Sequence, residues 1–250
     1  MPCTLPSLRH LATIAAFTPV VALGAQQARG DGYIVGVPHT RLTVRTGADA
    51  PLARSDFWNL ATDQLTLSRA RLGAPNLSVE VAGTTARVLE VTFGAGISYR
   101  ESGSTYRRFV DTERREIEQS TTLQRIPLLA GMRWNVLGLG DAAGTLAIIP
   151  RRFVPYVAAG GGFMHWRLAQ RGDFVDAGNL DVFPGAFTAN GWTPAGFVAA
   201  GADYAIGART SLTLDARWTG ARARLGPDFR GFGPLDLSSV AVTAGLTWRR

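Results

Sequence analysis

Residues 235–250 read LDLSSVAVTAGLTWRR. From Trp248 backwards, every second residue is apolar: Leu246, Ala244, Val242 and Val240, with Thr247, Gly245, Thr243, Ala241 and Ser239 between them. Alternation with period two marks a strand with two unlike faces, because successive side chains leave a pleated backbone on opposite sides. A soluble sheet and a sheet inside a membrane both produce this pattern. They differ in what the polar face carries, and the rest of the chain supplies that.

The same alternation recurs upstream. It predicts strands at His39–Ala48, Asn76–Gly83, Val88–Arg107, Ser120–Val136, Phe153–Gln170, Thr193–Ile206 and Ser211–Arg224, with the quoted stretch as the eighth. In the third, Leu89, Val91, Phe93, Ala95, Ile97 and Tyr99 share one face. In the fifth, the run AAGGG hides which face is which, and its glycines leave room for large side chains opposite. Short connections (TTAR, GARTS) alternate with long polar ones. ARSDFWNLATD suggests a single helical turn, and VDTERREIEQ and residues 171–192 read as loops. GLGDAAGTLAIIPRR is long where a short turn is expected. Strands joined in this way form an all-β, eight-stranded, antiparallel up-and-down barrel with two unlike ends.

The polar faces collect Arg45, Glu80, Glu90, Arg125, Arg133, Asp203, Asp215 and Arg217. The interior of an eight-stranded barrel is just wide enough to be filled by side chains. Charges placed there must pair. The near balance of acids and arginines therefore predicts a lumenal charge network in a packed polar interior. The apolar faces end in Tyr99, Trp134, Trp218 and Trp248, the positions of an aromatic girdle.

Composition agrees with a strand-built membrane protein. Of 250 residues 46% are hydrophobic and 18% charged, against about 25% charged in a typical soluble domain. Outside the N-terminal segment no apolar run reaches the roughly 18 residues of a spanning helix. Net charge is +7, carried entirely by arginine among the basic residues. The arginines are scattered without interleaved aromatics, so nucleic acid is not an expected partner. Arg107, Arg108, Arg114 and Arg115 fall in and beside one long connection, where they would contact phosphate groups such as those of lipopolysaccharide. Residues 1–25, with Arg9 ahead of an apolar stretch and small residues near Ala25, read as a cleaved secretory signal that contains the single cysteine, Cys3. Residues 26–38 then form a leader and 39–250 the barrel.

Catalytic constellations are not evident. After the signal segment the histidines are His39 and His165, and neither lies in a nucleophile signature. Asp173, Asp176, Asn179 and Asp181 depart from the calcium-loop spacing. No enzyme activity, cofactor or metal is expected.

With its alternating last strand finishing in Leu246-Thr247-Trp248, the chain resembles the small eight-stranded outer-membrane barrels of the OmpA-barrel, OmpX, OmpW and opacity-protein type. The resemblance implies an outer-membrane location, short periplasmic turns and longer extracellular loops. It implies that the insertion machinery reads the terminal aromatic, and that outer-membrane lipids and lipopolysaccharide are partners. In that family the aromatic usually ends the chain; here Arg249 and Arg250 follow it and are expected in the interface. The implied function is non-enzymatic: envelope structure, surface-loop interaction or minor passage of small solutes. Two alternatives stay open at this point. One is a lipid A-modifying barrel enzyme using His165 as a base; the other is a soluble exported β-sandwich or lipocalin-like binder.

Overall fold

The computed structural model describes residues 34–35, 38–110, 113–143, 147–176 and 181–250. The expected signal segment, residues 1–25, and most of the expected leader, residues 26–38, lie outside them. Eight long strands form the framework: β1 (Thr40–Pro51), β2 (Ala74–Ala86), β3 (Leu89–Val110), β4 (Glu116–Asn135), β5 (Phe153–Val175), β6 (Val182–Ala205), β7 (Thr210–Ala223) and β8 (Ser239–Arg249). Each pairs antiparallel with its neighbours in chain order. Pairing of β8 with β1, in register Trp248↔Leu42 and Arg249↔Arg41, joins the first strand to the last. The sheet is therefore a closed ring, with no edge strand left to pair elsewhere.

Alternation decides what faces out. Leu42, Val79, Val81, Val91, Phe93, Leu128, Met132, Val157, Val198, Leu212, Leu214 and Val242 are large, apolar and exposed. A soluble protein rarely leaves so much contiguous apolar surface uncovered. Inward positions of the same strands are buried and polar, among them Thr43, Glu80, Glu90, Arg133, Asp203, Asp215 and Thr247. Apolar outside and polar inside, on a closed ring, is the construction of an outer-membrane β-barrel. No helix among the described residues is long and apolar enough to cross a membrane.

Strand lengths are unequal. The strands β3 to β6 have 22, 20, 23 and 24 residues, whereas β1, β2, β7 and β8 have 12, 13, 14 and 11. About 9–11 residues of a tilted strand cross a bilayer. The long strands therefore rise beyond the barrel as a wall on one side of its outer mouth. This corrects the sequence expectation for residues 171–192, which are mostly strand, and for VDTERREIEQ, where β4 already begins at Glu116. Beyond the bilayer nothing demands an apolar outer face, so the alternation fades while the backbone pairing continues.

Two more expectations change. The connection 52–73 contains a nine-residue helix, α1 (Asp56–Gln64), and a 3-10 turn at Arg69–Leu72, rather than one helical turn. The long connection at the opposite end carries short strands Gly140–Ala143 and Ala147–Pro150. The latter pairs with Ile34–Val35, so part of the stretch read as leader is strand.

Candidate functional site

Within the ring, inward side chains divide the lumen into two unlike halves. The half near the short turns is a charge network. Glu80 on β2 is its hub: Arg41 Nη2 lies 2.8 Å from Oε1, and Arg45 Nη2 and Arg217 Nη2 lie 2.9 and 3.0 Å from Oε2. Beside it, Arg133 Nε lies 3.2 Å from Glu90 Oε2 and Arg41 Nε 3.3 Å from the same oxygen. Asp203 Oδ2 takes Arg133 Nη2 at 2.5 Å and Arg249 Nη2 at 2.6 Å. Asp215 accepts a hydrogen bond from Tyr156 Oη at 2.7 Å and stands 3.4 Å from Arg217 Nε. The Arg133 guanidinium lies 3.5 Å over the Tyr156 ring, a cation–π contact. Glu90, Arg133 and Asp203 are each 1% exposed, so the section they fill holds no open channel.

Every residue read from sequence as lumenal lies inside the ring: Arg45, Glu80, Glu90, Arg125, Arg133, Asp203, Asp215 and Arg217. The first seven are buried, and Arg217 keeps a 15% exposed side chain. Arg125 pairs with Asp49 at 2.9 Å, away from the hub. Sequence reasoning missed Arg41, Asp49 and Arg249. Arg41 shares the parity of Arg45 and could have been found by it. Arg249 was expected in the interface; it lies instead in the lumen, because it has the parity of Thr247 and Asp203 is in reach. The glycine-rich face of β5 looks inward. A methyl group on Gly160 would stand 2.8 Å from the Phe197 ring, and one on Gly201 would stand 2.5 Å from Tyr156 Oη, so these two large side chains need the glycines.

Towards the outer mouth the lining turns apolar. Leu123, Leu129, Met164, Trp166 and Leu168 point inward from β4 and β5 and meet Phe57 and Trp58 of α1 and Phe229, Leu235 and Leu237 of the connection after β7. Trp58, Leu67, Leu168, Leu235 and Leu237 are 0% exposed. Trp58 Nε1 donates to Asp236 O at 3.1 Å, and Arg69 Nε donates to Ala53 O at 3.1 Å. The connection 52–73 is also tied to the wall, since Ser102 Oγ and Arg100 Nε both donate to Arg71 O. Between plug and network lies a small cavity of about 50 Å³ lined by Arg45, Asp49, Arg125, Asp215 and Arg217 among others.

On the exterior, Tyr99, Trp134 and Trp218 are 48%, 52% and 44% exposed, and Trp248 is half-buried on the same side of its strand. Register places Trp134 and Trp248 at the short-turn end, and Tyr99 and Trp218 towards the outer end. The loop arginines have local partners: Arg107 Nε donates to Leu65 O at 2.7 Å, Arg108 lies 4.0 Å from Asp63, and Arg115 lies 3.1 Å from Glu113. Arg114 sits in the left-handed backbone region with φ 63°. Arg167, Arg222 and Arg224 are exposed and alternate with buried neighbours, so they leave β5 and the end of β7 on the outer surface. His165 packs edge-on against Trp192, ring centroids 5.1 Å apart. Among the described residues no group of three or more His, Cys, Asp or Glu side chains could hold a metal ion.

No family model and no curated protein matches the sequence. Solved structures similar to it include OprG, an outer membrane protein of Pseudomonas aeruginosa, at 13% identity, covering 86% of this chain and 98% of that one with a TM-score of 0.46. Neisserial surface protein A is similar at 11% identity over 88% and 98%, TM-score 0.43. The outer membrane protease OmpT of Escherichia coli is similar at 8% identity over 89% and 99%, TM-score 0.42.

Proposed function

We propose that this protein is a non-enzymatic outer-membrane barrel that acts through its exterior and outer rim, serving envelope structure and surface interaction rather than passage of solutes through its axis. The filled lumen carries this reading. Buried ion pairs occupy one half and an apolar plug the other, with Trp58 and Asp203 at 0% and 1% exposure. Opening such a path would leave charges without partners in a desolvated site, which is costly. Single-channel recording in planar bilayers tests it. The expected result is no stepwise conductance from the intact chain or from a variant with residues 55–64 replaced by a short Gly/Ser linker, because the charge network still blocks the axis. Steady conductance steps in the intact protein would overturn it.

The partners in this reading are outer-membrane lipids and lipopolysaccharide, together with the barrel-insertion machinery acting on β8. For phosphate groups of the outer leaflet, Arg167, Arg222 and Arg224 support the contact better than Arg107 or Arg115, whose guanidinium groups are engaged locally. Charge reversal of the first three should lower lipopolysaccharide co-purification at low ionic strength, where attraction is least screened. Equal loss on reversing Arg107 and Arg108 would return the contact to the loop.

A further inference from the structure

At the outer mouth, α1, the wall and the connection after β7 enclose a cavity of about 190 Å³. Its sides are largely aromatic, with Phe57, Tyr106, Phe174, Phe187, Phe229 and Phe232 contributing. These rings already meet edge to face: Phe57–Phe229 at 5.5 Å and 86°, Phe57–Phe232 at 5.5 Å and 80°, Phe174–Phe187 at 4.7 Å and 90°. A further ring placed among them would find both faces and edges to pack on. An apolar cavity of about 150 Å³ is large enough to take up benzene, so this one suits a single substituted ring.

The lining is not uniformly apolar. Gln119 and Gln170 are 5% and 8% exposed and lie against the cavity. Gln119 Nε2 donates to Tyr106 Oη at 3.1 Å and to Asp173 O at 3.0 Å. Both amide hydrogens are thereby spent, which also fixes the orientation of the amide. Its Oε1 remains as an acceptor that no described residue hydrogen-bonds. The Gln170 amide nitrogen reaches Thr121 Oγ1 at 3.4 Å, leaving a second carbonyl oxygen. Asp228 adds a carboxylate at the rim, and no arginine lines the cavity. Such a site offers acceptors and repels anions.

We infer that this cavity is a binding site for a small, uncharged, one-ring aromatic molecule bearing a hydroxyl or amino hydrogen-bond donor. The ring replaces water against the phenylalanines, and the donor reaches a glutamine oxygen. Below the cavity Trp58 and Leu65 are 0% and 3% exposed, so the molecule is held at the rim and does not continue along the axis.

The test uses the full barrel in lipid nanodiscs, with 4-fluorophenol and fluorobenzene followed by 19F NMR. The two probes share size and ring, and only the first carries a donor. Saturable binding of 4-fluorophenol is expected, about tenfold tighter than fluorobenzene, the worth of one hydrogen bond. Replacing both acceptors, Gln119→Leu together with Gln170→Leu, should erase that preference while leaving ring binding in place. Ala61→Phe, which fills the cavity, should abolish both signals. If Ala61→Phe fails to give a folded, heat-modifiable barrel, Leu60→Trp at the half-open mouth serves instead. Equal affinity for the two probes in the wild type would overturn the inference. So would unchanged signals in the folded cavity-filling variant, which would mean partition into lipid alone.

Discussion

The two halves of the lumen are built from the same strands by opposite means. Near the short turns, β1, β2, β4, β6 and β7 turn charges inward, and these charges neutralise one another across the bore. Near the outer mouth, β4 and β5 turn Leu123, Met164, Trp166 and Leu168 inward, and a helix folds back to cover them. The charged half lies where bilayer surrounds the ring and neither α1 nor the connection after β7 reaches. The apolar half lies where the connections are long enough to return. A ring can therefore be sealed from within by ion pairs, or corked from above by chain that loops out and back. This protein uses both, and the difference predicts how each half fails.

The largest effect is expected from Glu80→Ala. It leaves Arg41, Arg45 and Arg217 facing one another without their shared carboxylate. Removing one partner of a buried ion pair costs about 3–5 kcal/mol. The loss should appear in global unfolding, as a lower urea midpoint of the heat-modifiable band. An unchanged midpoint would show that the network is not what holds the ring. Trp58→Ala should come next, at about 3 kcal/mol, with the loss confined to the plug. Limited proteolysis should then cut within residues 52–73 while the barrel band persists. Collapse of the whole barrel would mean that the two halves are one cooperative unit. Arg107→Ala removes a single bond to Leu65 O and should cost about 1 kcal/mol, read from the same cleavage rate. Glu113→Gln breaks an exposed pair with Arg115 and should change stability by less than about 0.5 kcal/mol.

The charged half was legible in the sequence because parity alone identifies it. Once Thr213, Asp215 and Arg217 alternate with Leu214 and Ala216, only one face can meet lipid. Arg41 lies one residue inside the start of β1, where a single step of alternation gives little signal, Asp49 lies beyond the expected end of that strand, and Arg249 follows the terminal aromatic. The plug was not legible. In Asp56–Gln64 the buried residues are Phe57, Trp58 and Ala61, and the segment reads as polar connection until the apolar patch inside the ring is known. That patch itself reverses the usual rule for barrel interiors, since Trp166 and Leu168 look inward while Arg167 looks out. The aromatic cavity is composed by six separate segments and has no local signature at all.

Consider finally where the partners of the lumenal charges sit along the chain. Arg133 on β4 meets Asp203 on β6, Arg249 on β8 meets the same carboxylate, Arg217 on β7 meets Glu80 on β2, and Arg125 on β4 meets Asp49 on β1. These four pairs each skip at least one strand, whereas Arg41 and Arg45 meet Glu80, and Arg133 meets Glu90, across neighbouring strands. An open sheet keeps the neighbouring-strand pairs and leaves Arg217 without Glu80. The complete set is available only once β8 meets β1. The pair that crosses the seam between β8 and β1, Arg217 with Glu80, therefore stabilises only the closed ring, while the pairs within β1–β2 and β3–β4 are satisfied by one hairpin each.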